Sequence, residues 1–548
     1  MAYQKINFYD TLVEWRDKFN SNVDESIDLK NRVDALETGG TTDGELIALR
    51  SSTTLNFTGT TADERVEHAE QEIVNALNRI TALENKDLGI YNVRDFGAVG
   101  DGVTDDSTAI QAALDAANAA GGGEVYIPDG VYAIKTTLLI YSYTRLRLAP
   151  GATLIRAATF VSMLRPGIGD VDAYDGAHDI EIVGGTWDLN ARQFPSPSNA
   201  MIFGHCRNIV VRDAQILDCY QYHGIEYNAV QNGAILNCLF KGYSGTRDSE
   251  AIQIDLMKGS AQFGSYGNYD NTPCDNILIA GCVFEDWSRG VGSHSSTANV
   301  FHTSVRVIGN HFRNMSSHGV FAYQWRHFVI ANNTIESART GIEVRPGRGT
   351  DGSDTGYGVI KGNVIRNING AQYGHGIWLN GDPDDLEVDQ CVVTGNLIDT
   401  TTDDGILIQY GRWNTIANNH VRQAGDHGIQ IYSGRFCQVI GNLVRRSWNH
   451  GIVLNTTTEC IIQGNLCENN QQAGPDLAQA GIRLVTDSNY NNVQGNICRA
   501  GTNTDYGIYI SGSCVGNLVT NNDLYGGGKV ANLDDRGVST VTAPGNRT

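Results

Sequence analysis

The chain of 548 residues lacks several features that would settle its class at once. No apolar run approaches membrane-spanning length, so no membrane insertion is expected. Basic residues are scarce: 40 Lys and Arg stand against 61 Asp and Glu, for a net charge of −21. A nucleic-acid partner needs a basic face, and none is expected here. The 11 cysteines are odd in number and contain no C-x-x-C pair, which argues against both a disulfide framework and a thiolate metal centre. Several occupy apolar repeat positions, as in Leu217-Asp218-Cys219 and Ala280-Gly281-Cys282. They read as buried free thiols of a protein made in a reducing cytoplasm. Residues 1–20 carry Glu14, Arg16, Asp17 and Lys18 with no apolar stretch, so no secretory signal is read there. No phosphate-cradling loop or nucleophile elbow stands out, and no cofactor is expected.

What the chain has in quantity is glycine, 63 residues, and a recurring phrase built on it. The phrase is a small or polar residue, Gly, then a branched apolar residue. It reads His223-Gly224-Ile225, Glu250-Ala251-Ile252, Arg289-Gly290-Val291, His318-Gly319-Val320, Thr340-Gly341-Ile342 and His375-Gly376-Ile377. It continues through Asp404-Gly405-Ile406, His427-Gly428-Ile429, His450-Gly451-Ile452 and Ala480-Gly481-Ile482 to Tyr506-Gly507-Ile508. Spacings of about 22 to 39 residues are those of solenoid coils, each packing on its neighbours. A second phrase, as in Ile308-Gly309-Asn310 and Ile440-Gly441-Asn442, suggests a structural turn with left-handed backbone and stacked Asn amides.

Residues 1–88 differ in being rich in charge and poor in turns. Val66, Ala69, Ile73, Ala76, Ile80 and Leu83 form an a/d seam, which predicts a coiled-coil bundle whose β-branched a and small d positions suit a trimer. Residues 89–145 are an entry region: a strand at Tyr91-Asn92-Val93, a turn-rich loop over Gly97–Asp106, and a helix through Ile110, Leu114 and Ala117. That helix is capped by Asp106 or Ser107 and stopped by Gly121-Gly122-Gly123. Residues 146–525 form the solenoid body and 526–548 a tail.

The run Val93-Arg94-Asp95-Phe96-Gly97-Ala98-Val99-Gly100-Asp101-Gly102-Val103-Thr104-Asp105-Asp106, followed by Ala109-Ile110-Gln111 and Val125-Tyr126-Ile127-Pro128-Asp129-Gly130, resembles the start of the pectate-lyase-like superfamily. The resemblance implies an all-β, right-handed parallel β-helix over roughly residues 90–525. With the coiled segment before it, the whole looks like a bacteriophage tailspike or appendage protein. That implies a homotrimer on the virion tail, made in the host cytoplasm and acting at the host cell surface. Residues 1–88 would join it to tail or baseplate proteins.

Strand alternation turns the Gly-Ile phrase into rows of groove-facing residues about 4.8 Å apart. The first row is Glu226, Gln253, Gly292, Phe321, Glu343, Trp378, Leu407, Gln430 and Val453. The second is Asn228, Asp255, His294, Tyr323, Arg345, Asn380, Gln409, Tyr432 and Asn455. Aromatics, amides and a few charges are a sugar-binding mix, which nominates Tyr323, Glu343, Arg345, Trp378 and Tyr432 as substrate-binding residues. Glu226, Asp255 and His294 fall on three consecutive coils. Glu226 and Asp255 are expected roughly 8 Å apart, the range of an inverting acid/base pair. Glu250, Lys258, Asp270 and His302 rank second for catalysis. The long segment after Asp255 and the insertion after His294 read as groove walls. The recurring His223, His318, His375, His427 and His450 read as corner residues rather than metal ligands. Asp382-Pro383-Asp384-Asp385 reads as a solvated acidic loop rather than a Ca²⁺ site.

The expected activity is hydrolysis of a host surface polysaccharide. The rivals are a β-elimination lyase drawing on Asp248, Glu250, Asp255 and Lys258, a teichoic-acid phosphodiesterase, and a non-catalytic receptor-binding adhesin.

Overall fold

The computed structural model describes residues 89–548 except 168, 170, 260–266, 384–385, 472–478 and 543–544. The chain divides into residues 1–61 and 62–548, and every described residue belongs to the second unit. The coiled-coil bundle expected over residues 1–88 lies outside the described residues.

The described residues form a right-handed parallel β-solenoid of about 16 coils. Each strand pairs in parallel with its counterpart one coil earlier and one coil later. The entry strand β1 (Ile90–Asn92) pairs with the strand at Gly123–Ile127, and helix α1 (Ser107–Ala119) buries Ile110, Ala113, Leu114 and Ala117 over the open end of the core. Asp106 occupies the position before α1, but its carboxylate accepts from the Val99 and Gly100 backbone N–H groups and so clamps the preceding loop. Part of that loop is itself a strand, Asp101–Asp105. Two left-handed glycines, Gly121 and Gly122, follow the helix as expected. At the other end the solenoid runs on past residue 525. Ala531–Asp535 pairs with Tyr506–Ile510, and Val538, Val541 and Arg547 bridge to the coil before, so the predicted tail is coil. Among the described residues no helix is long and apolar enough to cross a membrane.

One face carries the Gly-Ile phrases. Its strands are β2 (Asn199–Arg212), β3 (Ile225–Leu236), β4 (Glu250–Asp255), β5 (Arg289–Gly292), β6 (His311–Tyr323), β7 (Thr334–Arg345) and β8 (Ile377–Asn380). Then come β9 (Ile406–Gln409), β10 (Ile429–Tyr432) and β11 (Ile452–Asn455). The branched residue of each phrase is buried in one continuous core. The glycine of the phrase serves close approach, not a left-handed turn. A Cβ on Gly405 would sit 2.6 Å from the Gly428 carbonyl oxygen, and one on Gly428 would sit 2.7 Å from that of Gly451. These coils thus leave room only for hydrogen at this corner, and the coil of Ala251 is the exception.

The repeated Asn residues stack as predicted. Asn310, Asn333, Asn363, Asn396, Asn419, Asn442, Asn465, Asn496 and Asn522 form an unbroken ladder, each backbone N–H donating to the side-chain carbonyl of the next. The left-handed residue is the one before, for example Gly441 at φ 66° or Asn418 at φ 55°. All 11 cysteines are buried and free, several stacked beside one another in the core.

Candidate active site

The two predicted rows follow the observed register. Glu226 pairs with Gln253, Gln253 with Gly292, Gly292 with Phe321, Phe321 with Glu343, and Glu343 with Trp378. In the second row Asn228 pairs with Asp255, Tyr323 with Arg345, and Gln409 with Tyr432. The rows are less open than alternation alone suggests. Glu226 is 2 % exposed, Asp255 1 % and Glu343 3 %. Their side chains lean on one another from coil to coil, and loops lie alongside: Lys258 Nζ donates to the Ser296 carbonyl and to Asp351 Oδ2.

Glu226, on β3, is buried between two amides. Asn199 Nδ2 donates to its Oε2 at 2.6 Å from β2, and Asn228 Nδ2 to its Oε1 at 2.9 Å. Burial outweighs both bonds and the attraction of His294, and with repulsion from Asp255 it raises the carboxyl to about 7. Asp255, at the end of β4, accepts from Gln253 Nε2 at 2.8 Å and from the Leu256 and Ser295 backbone N–H groups at 2.9 and 3.1 Å. Gln253, the row neighbour of Glu226, bonds Asp255 through Nε2, and its Oε1 is buried with no hydrogen-bond partner.

His294 sits just past β5 between two carboxylates. Its Nε2 is 3.5 Å from Asp255 Oδ2 and its Nδ1 is 3.3 Å from Glu250 Oε2. Burial opposes its charge, but Asp255, Glu250 and Glu226 together raise the imidazole to about 10, so both ring nitrogens carry protons. Glu250, ranked second from sequence, is central. It is fully buried, and Arg289 Nη1 meets its Oε1 at 2.9 Å. Burial would raise it, yet His294, Arg289 and His223 hold it well below the usual carboxylate range. His223, read as a corner residue, does bond the next corner, with Nδ1 3.0 Å from the Glu250 carbonyl. It also stacks on His294, ring centroids 5.7 Å apart, and burial pushes it down to about 4, leaving it neutral.

The other second-rank residues are placed elsewhere. Lys258 is engaged with Asp351 and Ser296, so the lyase constellation with Glu250 and Asp255 is not assembled; Asp248 pairs instead with Arg289 and Arg339. Asp270 accepts from the Ala173 and Thr272 N–H groups and stitches two loops. His302 is buried in its strand, where its Nδ1 accepts from the Cys274 N–H at 3.1 Å, and burial lowers it to about 4.

Farther along the groove is a cleft of about 420 Å³ lined by Glu343, Arg345, Trp378 and Tyr373 and by Arg289, Arg339 and Arg348. Four arginines converge there in a chain of net charge −21. Glu343 accepts from Asn380 Nδ2 at 2.7 Å and meets His318 Nε2 at 2.7 Å. Trp378 stacks on Tyr373 at 5.5 Å, and its indole Nε1 is buried with no hydrogen-bond partner. Tyr323 stacks on Phe321 at 5.7 Å, and Tyr432 meets Tyr410 edge to face. Sequence reasoning passed over Asn199, Arg289, Arg339, Arg348 and Tyr373. For Arg289 a signal existed: it occupies the same pre-glycine position as Glu250, one coil on.

A family model described as rhamnogalacturonase A/epimerase, pectate lyase-like, matches residues 90–377, and one described as right handed beta helix region matches residues 297–467 and 375–543. The chain is similar to the plasmin and fibronectin-binding protein A of Streptococcus pneumoniae, 28 % identical over 326 residues. That match covers 53 % of this chain and 45 % of the relative, so the chain spans less than half of that protein. A 45-residue stretch, 8 % of this chain, is 69 % identical to 3 % of the mannuronan C5-epimerase AlgE1 of Azotobacter vinelandii. Among solved structures, a tailspike protein mutant of E. coli bacteriophage HK620 superposes with a TM-score of 0.54 at 14 % identity. It covers 82 % of this chain and 80 % of that one, a likeness of fold.

Proposed function

The chain belongs to the rhamnogalacturonase A/epimerase, pectate-lyase-like family, and from that premise we propose that it binds an acidic polysaccharide along the Gly-Ile face and hydrolyses a glycosidic bond at Glu226 and Asp255. The observation that carries the reading is a buried Glu226 carboxyl raised to about 7 in the same cluster as an Asp255 carboxylate set against the His294 imidazolium. Glu226 is held as an acid near neutral pH, while Asp255 accepts two backbone N–H bonds and faces the His294 imidazolium. A pair of carboxyl groups whose environments separate their protonation is what glycosidic cleavage needs. Glu226 protonates the leaving oxygen; a carboxyl oxygen that accepts one amide still has capacity for a proton. Asp255 activates the attacking water, and His294, charged by Glu250 and Asp255, stands 3.5 Å from Asp255 and orients it.

The arginine-lined cleft supplies the substrate class. Arg345 and the exposed Arg348 suit the carboxylates of an acidic sugar, and Trp378 offers a ring face with an indole N–H awaiting an acceptor. The biological setting that suits this chemistry is a phage tail appendage acting on the glycan of a host surface, trimeric through residues 1–88. The similarity to a plasmin and fibronectin-binding protein favours a second reading, in which the same groove grips without cleaving.

The test is release of reducing ends from purified acidic envelope polysaccharide by wild type, Glu226→Gln and Asp255→Asn. Hydrolysis abolished in both variants supports the reading. Product absorbing as an unsaturated uronate would select a lyase, released phosphate esters a phosphodiesterase, and tight binding without products an adhesin.

A further inference from the structure

The pre-glycine residues of the Gly-Ile phrase form a row of their own, His223, Glu250, Arg289, His318, Thr340, His375, Asp404, His427 and His450. Backbone bonds between successive corners hold its later members in step, as in Gly376 N–H to the Asp404 carbonyl and Gly405 N–H to the His427 carbonyl. Several carboxylates along the solenoid are matched by a guanidinium: Glu250 by Arg289, Glu343 by Arg345, and Asp389 by Arg412. Asp403, Asp404 and Asp426 are not. Among the described residues their ion pairs are to histidines alone, His375 and His427.

The geometry there clusters imidazole and carboxylate donor atoms. Candidate ligand atoms of His375, Asp403 and Asp404 all lie within 4.8 Å of one another, and so do those of Asp404, Asp426 and His427, with Asp404 common to both sets. Asp404 is 2 % exposed; its Oδ1 accepts from the His427 N–H at 3.0 Å. Its Oδ2 faces His375 Nδ1 at 3.6 Å, beyond hydrogen-bond reach. His375 is 5 % exposed, and that Nδ1 is buried with no hydrogen-bond partner. A buried imidazole nitrogen without a hydrogen bond, facing a buried carboxylate at 3.6 Å, offers two donor atoms at a separation one metal ion can bridge. Three neighbouring carboxylates also need a proton or a cation to coexist.

We propose that His375, Asp403 and Asp404 bind one divalent transition-metal ion of the Mn²⁺ to Zn²⁺ class, with Asp426 and His427 closing its far side. Mixed imidazole and carboxylate donors favour that class over Ca²⁺, whose ligands are oxygens. The site lies five coils beyond His223, roughly 24 Å along the axis at about 4.8 Å per coil, and so is separate from the Glu226 cluster. The ion joins three successive coils and anchors the His375 ring, whose centroid is 4.8 Å from that of Trp378 in the arginine-lined cleft.

Metal-stripped protein titrated calorimetrically with Zn²⁺, Mn²⁺ and Ca²⁺ in turn tests this, with circular dichroism to confirm folding. One Zn²⁺ or Mn²⁺ per chain is expected, with at least tenfold weaker binding in His375→Ala and Asp404→Asn. The half-exposed Asp403→Asn serves where a buried variant fails to fold. A rise in melting temperature with the ion is expected in wild type and not in these variants. The proposal is overturned by absence of binding at millimolar ion, by equal affinity for Ca²⁺, by unchanged binding in the folded variants, or by binding lost in Glu250→Gln instead, which would place the ion at His223, Glu250 and His294.

Discussion

His294 Nδ1 stands 3.3 Å from Glu250 Oε2, and through this contact a residue with a half-exposed ring draws its charge from a carboxylate with none of its surface in water. Glu250 is fixed in turn by Arg289, so the imidazolium is held on the side away from Asp255 by a buried ion pair. Glu250→Gln removes one of the two carboxylates on His294 and leaves Arg289 with only the half-exposed Asp248. A loss of about 3–5 kcal/mol in unfolding free energy is expected from breaking such a pair. In the folded variant the His294 ring should titrate well below 10, readable by NMR of the imidazole protons.

Glu226→Gln keeps the shape of the side chain and removes its proton. A drop in kcat of about 10²–10⁴-fold is expected, with KM for the polysaccharide little changed. A parallel rise in KM would instead mark Glu226 as a binding residue.

The raised ionisation of Glu226 makes two pH predictions with one sign. Activity should fall on the alkaline limb with an apparent pKa near 7, as the acid loses its proton. Stability follows the same direction. Below about 4.5 the folded and unfolded carboxyls are both protonated; between there and about 7 only the unfolded one ionises, so folding loses support as pH rises. The shift corresponds to roughly 3 kcal/mol, absent in Glu226→Gln. Denaturant melts of both proteins at pH 4.5 and 8 should therefore diverge, the wild type weakening relative to the variant.

The Asn ladder predicts a position-dependent penalty. Asn442 accepts from both the backbone and the side chain of Asn419, and donates to the Ile416 carbonyl and to Asn465. Asn442→Ala leaves several buried groups unpaired, at about 1–3 kcal/mol each. Asn546→Ala, at the half-buried end of the ladder, should lower the melting temperature far less.

The thiols should be silent in the native state. All are buried, and burial raises Cys219 and Cys274 to about 12. An Ellman titration is expected to find no fast-reacting thiol among them, and 11 after denaturation without reductant.

The rows of the groove were legible in the sequence because strand alternation and coil spacing are both strictly periodic; Glu226, Gln253 and Phe321 could be aligned by counting. What counting could not supply was depth. It treated Glu226 and Asp255 as surface residues, whereas neighbours on adjoining coils and loops close over them, and that desolvation raises the Glu226 carboxyl. It also could not see that His223, a corner residue by its bond to Glu250, would turn its ring face to His294. Loop residues carried the least signal. Asp270 and Lys258 were nominated for lying near Asp255 in sequence, but their partners, Ala173 and Asp351, are remote along the chain.

The strict register of β9, β10 and β11 has a further consequence. Equivalent corner residues there recur every 23 positions, as at Asp404, His427 and His450. Excising one such period would leave the Asn ladder and the glycine contacts matched on either side of the cut. The groove would simply become one rung shorter, with Trp378 brought beside Gln430. This region therefore behaves as an adjustable ruler, whose reach along a polymer can be changed in whole increments without redesigning either the chemistry at one end or the fold that carries it.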